Sequence, residues 1–138
     1  MRLPSPLLVL ALALLAALAA CSPSRFENID NAKLQALIEQ GVRVYDVRRP
    51  DEWRETGVIA GSRKLTFVDE QGRLMPEFAA RFRSEVGPDD PVILICRVGN
   101  RTRALAGLLS EELGYKRVYN VRDGITGWLR EGRAVARD

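Results

Sequence analysis

Cys96 heads the run Arg97-Val98-Gly99-Asn100-Arg101-Thr102, a thiol at the start of a short loop with a glycine at its middle and two arginines beside it. A cysteine acts as a nucleophile through its thiolate, and that anion is favoured by backbone N–H groups, a helix N-terminus and neighbouring cations. The preceding Val92-Ile93-Leu94-Ile95 is continuously apolar, the pattern of a strand buried on both faces, and helical spacing begins at Thr102. In open α/β sheets ligands bind in the crevice at such strand ends. A loop that enters a helix turns several unpaired N–H groups toward one centre, and Gly99 lets the chain curl tightly around it. That geometry suits an anion. The competing reading of Cys96 alone is a small buried hydrophobe, and that of Arg97 and Arg101 is a solvated basic rim.

What the chain lacks narrows the chemistry further. None of its 138 residues is histidine, which excludes Ser-His-Asp and Cys-His catalysis, the usual zinc-enzyme ligand sets and imidazole acid–base steps. Only two cysteines occur, Cys21 and Cys96, and if each has its own role no disulfide holds the fold. A net charge of +3 does not predict nucleic-acid binding. With 46% hydrophobic and 28% charged residues, the chain has the composition of one compact domain rather than a disordered or fibrous segment.

The elements that must hold the Cys96 loop alternate along the chain. Asp30 is placed to cap a helix with apolar Leu34, Leu37 and Ile38, ending near Gly41. Residues 42–47 alternate as a strand, Pro50 opens a short helix through Thr56 that Gly57 closes, and residues 63–68 suggest another short strand. A helix over 76–86 presents Phe78, Ala79 and Phe82, and the strand 92–95 follows the turn at Pro88-Asp89-Asp90-Pro91. The helix over 102–113 has Leu105, Leu108, Leu109 and Leu113 as its expected inner stripe, then come a strand at 117–121 and a helix at 125–130. Trp53 and Trp128 read as packing residues. Asp46 and Arg48 read as a local ion pair at a strand end, and Glu111 and Glu112 as a solvated face. Such alternation predicts an α/β domain with a mainly parallel sheet and helices on both faces.

The first residues have a different character. Arg2 precedes an apolar run over residues 7–20, fourteen residues where a membrane-spanning helix needs roughly 20, so 1–20 reads as a secretory signal peptide. Leu18-Ala19-Ala20-Cys21 resembles the lipobox of bacterial lipoprotein precursors, which implies cleavage before Cys21 and lipidation of its thiol; the plainer alternative is an ordinary leader with Cys21 a stray thiol. Residues 21–26 would then be a lipidated tether of at most about 17 Å beyond the cysteine, holding a domain over 27–138 close to the membrane. This places the protein on the periplasmic side of the cell envelope, and Ser22 in place of Asp favours the outer membrane.

The loop Cys96-Arg97-Val98-Gly99-Asn100-Arg101-Thr102 resembles the active-site loop of the rhodaneses, the thiosulfate sulfurtransferases, whose pattern is close to Cys-Arg-x-Gly-x-Arg-Ser/Thr. The resemblance continues through Asp46-Val47-Arg48 with Pro50, Glu52 and Trp53, through Gly57-Val58-Ile59-Ala60-Gly61-Ser62, and through Val118-Tyr119-Asn120-Val121 with Gly124, Gly127, Trp128 and Gly132. With the leader, it is similar to the single-domain periplasmic rhodaneses of the phage-shock type. Val58 stands where that family usually has His, and Asp123 where its first glycine usually stands; Asp123 is expected to take the turn conformation of that glycine. Phosphatases on the same fold have five residues between Cys and Arg, whereas four stand between Cys96 and Arg101 and six between Cys96 and Arg103.

The resemblance implies a rhodanese-like three-layer fold and a sulfurtransferase, with Cys96 as the catalytic nucleophile and Arg97, Val98, Gly99, Asn100, Arg101 and Thr102 as the substrate-binding loop. Sulfane sulfur would pass from thiosulfate or another small anionic donor to a thiol or cyanide acceptor through a Cys96 persulfide, with Arg97 and Arg101 attracting the donor and stabilising the leaving sulfite. No cofactor and no metal is implied, and no nucleic acid; a protein partner cannot be read from the sequence. The rival readings are a rhodanese-like binding module without turnover and a redox-sensing thiol at the periplasmic membrane face. The lipobox reading predicts that Cys21→Ser abolishes incorporation of labelled fatty acid and releases the protein from the membrane fraction, with Cys96→Ser changing neither.

Overall fold

In a computed structural model the described residues are 25–137; the expected signal peptide, Cys21 and the tether up to residue 24 lie outside them. Five strands and five helices alternate: β1 (Glu27–Ile29), α1 (Asn31–Glu39), β2 (Arg43–Asp46), α2 (Pro50–Thr56), β3 (Arg63–Lys64), α3 (Phe78–Glu85), β4 (Pro91–Ile95), α4 (Asn100–Gly107), β5 (Arg117–Val121) and α5 (Gly124–Arg130). The strands form one sheet in the order β1-β5-β4-β2-β3, and every pairing is parallel. From β2 the chain winds outward to β3, then returns to β4 on the other side of β2. The carboxyl ends of β2 and β4 therefore flank a switch point, where outgoing loops part and leave a crevice.

Strand β4 sits at the centre, Ile93 opposite both Val44 of β2 and Tyr119 of β5. Its side chains alternate between two cores. Val92, Leu94 and Cys96 join Phe78 and Phe82 of α3 and Leu105 and Ala106 of α4 on one face. Ile93 and Ile95 join Leu34 and Leu37 of α1 and Ile125 and Trp128 of α5 on the other. This is the three-layer α/β arrangement with helices on both faces that the sequence predicts, and the Cys96 thiol belongs to one of its cores. Asp30 caps α1 by accepting from the Lys33 amide at 2.9 Å.

Several expectations are corrected by the structure. Leu105 and Leu109 are buried, but Leu108 and Leu113 are 37% and 44% exposed and do not belong to the inner stripe of their helix. After Gly107 the chain passes into a π-helical turn, Leu108–Glu112, closed by the Leu113 amide donating to the Leu108 carbonyl. The Ser110 hydroxyl donates to the Ala106 carbonyl at 2.7 Å, a back-bond that bends helices, and the wider turn takes Leu113 out of the register of a regular helix. The strand expected over 63–68 is regular for only two residues, although the Leu65 and Phe67 amides still donate to Asp46 and Val47 carbonyls. β1 has no sequence signal: its three residues, Glu-Asn-Ile, include only one strand former. Asp123 lies at φ −103°, and the left-handed conformation falls on Gly124 instead.

The expected ion pair at the end of β2 is wholly buried. Asp46 and Arg48 are both 0% exposed, with Arg48 Nη2 2.8 Å from Asp46 Oδ2 and Nε 2.9 Å from Oδ1. The remaining guanidinium N–H groups donate to Thr56 Oγ1 and to the carbonyls of Glu52 and Gly57, and Trp53 Nε1 donates to Asp46 Oδ1 at 3.0 Å. Strand end, helix α2 and the following glycine are thus tied to one cation. Removing one member of a buried pair strands the other charge, so Arg48→Ala is expected to lower stability by about 3–5 kcal/mol, measured by urea unfolding. Lysine, lacking the planar fork, is expected to recover little of it.

Candidate active site

Cys96 follows the last residue of β4 and is 1% exposed. The Gly99 amide donates to its Sγ at 3.3 Å, and Thr102 Oγ1 lies 3.3 Å from the same sulfur. Gly99 caps α4 at φ +91°, and a Cβ there would collide with the Arg122 carbonyl. Gly124 faces the loop at φ +58°, where a Cβ would run into the carbonyls of Cys96 and Arg97. Those carbonyls accept from the amides of Ile125 at 2.9 Å and Thr126 at 3.1 Å, in the first turn of α5. With two loop carbonyls turned onto α5, the loop curls with the Gly99 N–H toward the sulfur. The first N–H groups of α4, which have no partner within their own helix, begin at the same point.

The predicted site residues fall into two groups. Cys96, Gly99 and Thr102 converge on the sulfur, while Val98 is 48% exposed at the loop tip and Arg97 is half exposed at the mouth. Arg101 does not project freely into the loop: its Nη1 and Nη2 donate to the two oxygens of Glu52 at 2.9 Å each. Arg97 Nη2 donates to Glu55 at 3.1 Å, and its Nε lies 3.4 Å from Glu52. Asn100 opens α4.

Two residues quoted only within motifs prove central to the site. Glu52, 2% exposed at the third position of α2, also accepts from the Arg49 amide at 3.1 Å. Burial by itself would raise its carboxyl, but the Arg101 hydrogen bonds, the Arg49 amide and both guanidinium charges outweigh that and hold it at about 2. Asn120, 0% exposed in β5, accepts from the Thr102 hydroxyl at 2.5 Å and donates through Nδ2 to Asn28 Oδ1 at 2.8 Å and to the Gly99 carbonyl at 3.3 Å. Its sequence signal is an asparagine set among β-branched and aromatic residues in a strand, where that residue type is disfavoured.

A family model for the rhodanese-like domain matches residues 30–131. This chain belongs to that family. A thiosulfate sulfurtransferase GlpE of Actinobacillus pleuropneumoniae serotype 3 (strain JL03) is 44% identical over 62 residues, covering 45% of this chain and 56% of that protein. The matched stretch thus spans little more than half of that relative. The thiosulfate sulfurtransferase GlpE of Pseudoalteromonas translucida is 30% identical over 104 residues, 75% of this chain and 89% of that one. Among solved structures, a rhodanese-related protein from Thermoplasma volcanium superposes with a TM-score of 0.64 at 30% identity, covering 81% of this chain and 99% of that one.

The departures of this rhodanese-like domain from the family pattern lie away from the sulfur contacts. Val58 is buried, and its backbone exchanges hydrogen bonds with Ala136, donating at 3.0 Å and accepting at 2.7 Å. Asp123 precedes α5 without disturbing the Gly124 contact. A carboxyl depressed from 4.5 to about 2 on folding stabilises the fold above the higher value and loses that contribution as pH falls toward the lower one. Between pH 4.5 and 2 the wild type is therefore expected to lose more stability than Glu52→Gln, as read by the pH dependence of urea unfolding.

Proposed function

We propose that this chain is a sulfurtransferase with Cys96 as the sulfur-carrying nucleophile. The observation that carries the reading is the Cys96 sulfur at the head of a loop leading into α4, in contact with the Gly99 N–H and the Thr102 hydroxyl, within a rhodanese-like domain. Its thiolate attacks the outer sulfur of thiosulfate, the S–S bond breaks, and sulfite leaves with that bond's electron pair. The persulfide on Cys96 carries its negative charge on the terminal sulfur, where the loop N–H groups stabilise it. An acceptor thiolate or cyanide then attacks that terminal sulfur and returns the Cys96 thiolate, a covalent two-step cycle that needs no cofactor.

The arginines act differently from one another in this reading. Arg97, half exposed at the mouth and paired only with surface carboxylate and the edge of Glu52, exchanges partners readily and draws an anionic donor toward the loop. Arg101, clamped by Glu52 yet within electrostatic reach of Cys96, holds the start of α4 in place and keeps a positive charge near the sulfur. We place the domain on the periplasmic side of the bacterial envelope, anchored through lipid on Cys21, on the strength of the pattern at residues 18–21.

The test is the intact mass of the chain starting at Ser22, in which Cys96 is the sole thiol, after incubation with thiosulfate. A gain of about 32 Da, one sulfur atom, is expected in the wild type and absent from Cys96→Ser. Loss of that gain on addition of a thiol or cyanide completes the cycle. No gain in a protein whose thiol still reacts with an alkylating agent overturns thiosulfate as donor.

A further inference from the structure

Beneath the Cys96 sulfur lies a chain of buried polar groups that the sulfur-transfer steps above do not use. Thr102 and Asn120 are both 0% exposed, and Asn120 reaches Thr102 from β5, eighteen residues along the chain. The Gly99 carbonyl can only accept a hydrogen bond, so the Asn120 atom facing it at 3.3 Å is Nδ2, which also donates to Asn28. The amide oxygen of Asn120 is thereby turned toward Thr102. A hydroxyl has one proton, and three acceptors compete for it: Asn120 Oδ1 at 2.5 Å, the Gly99 carbonyl at 3.3 Å and the Cys96 sulfur at 3.3 Å. The shortest contact takes it, and the Thr102 oxygen then presents lone pairs to the sulfur.

We infer that Asn120 is a positioning residue that withholds the Thr102 proton from Cys96, so that Thr102 accepts from the thiol and turns to donate only when the sulfur becomes an anion. Ionising Cys96 must break the Thr102–Asn120 hydrogen bond or leave the anion facing an oxygen. With the hydroxyl proton reserved, the loop N–H groups are the donors available to a terminal persulfide sulfur. The charged groups around Cys96 are Arg97 and Arg101 from the loop and α4, Glu52 from α2, Asp46 and Arg48 from the end of β2, and the exposed Arg122 and Asp123 beyond β5. None of them is a hydrogen-bond partner of Asn120, which bonds Thr102, Asn28 and the Gly99 carbonyl.

This inference rests on Cys96 being the reactive group of the site, but its test does not depend on any sulfur donor. The rate of Cys96 alkylation is followed against pH in the full chain, with the modified peptide resolved by mass so that Cys21 does not contribute. Asn120→Leu frees the hydroxyl to donate to sulfur, and the midpoint of the profile is expected to fall by about one pH unit, the size of a charge-assisted hydrogen bond. In a Thr102→Val background the same substitution is expected to move nothing further. A midpoint that stays or rises in folded Asn120→Leu overturns the inference, as does an equal fall when Thr102 is already Val. Should leucine fail to fold, Asn120→Ser, too short to reach Thr102, carries the same test. In the wild type the Asn120 side-chain amide signals should titrate with the alkylation midpoint; signals indifferent to pH overturn the inference without any variant. A missing mass gain with thiosulfate alongside the expected alkylation shift defeats the sulfur-transfer reading alone.

Discussion

A guanidinium sealed from water must have each of its N–H groups matched by an oxygen, and Arg48 meets that demand by drawing four residues around itself. Asp46 supplies two oxygens from the end of β2, the carbonyl of Glu52 and the hydroxyl of Thr56 come from α2, and the Gly57 carbonyl closes the set. The direction in which α2 leaves the sheet follows from this arrangement. That direction carries the Glu52 side chain across the crevice to Arg101 and Arg97, which belong to a loop on another strand. A buried pair of this kind adds little net stability by itself, because desolvating two charges offsets most of their attraction. Its value lies in fixing geometry, since a shift of any of these residues leaves a buried donor unmatched.

The thiol is part of the hydrophobic core as well as of the site. Cys96 shares its apolar cluster with Leu94, Leu105 and Phe82, and the Sγ of its side chain meets the Gly99 amide and the Thr102 hydroxyl. A thiol placed where the core ends and the loop begins is held as rigidly as the core itself.

How much of this could be read from sequence depended on whether a feature was local. The buried run 92–95, the Cys96 loop and the capping Asp30 are written in adjacent residues, and the structure places them where periodicity does. Asp46 and Arg48 lie two apart and were legible as a pair. The Glu52–Arg101 clamp joins residues 49 apart and the Asn120–Asn28 contact residues 92 apart, distances over which side-chain spacing carries no pattern. β1 went unseen because its strand character comes from pairing with β5 and not from its own residues. The exposed Leu113 misled because the chain widens into a π-helical turn over 108–112, and helical periodicity assumes that no turn does.

The loop carbonyls held by α5 have a consequence for motion. Glycines at 99 and 124 leave no slack between the Cys96 loop and the chain from 121 to 124, and the amides of Ile125 and Thr126 fasten the two together. The loop cannot swing as a lid while the last helix stays docked on its core through Ile125 and Trp128. Opening therefore belongs with the slow excursions of the core rather than with the nanosecond flutter of surface loops. A site built this way is not gated by its own loop: the geometry around the sulfur is already formed before a small molecule arrives.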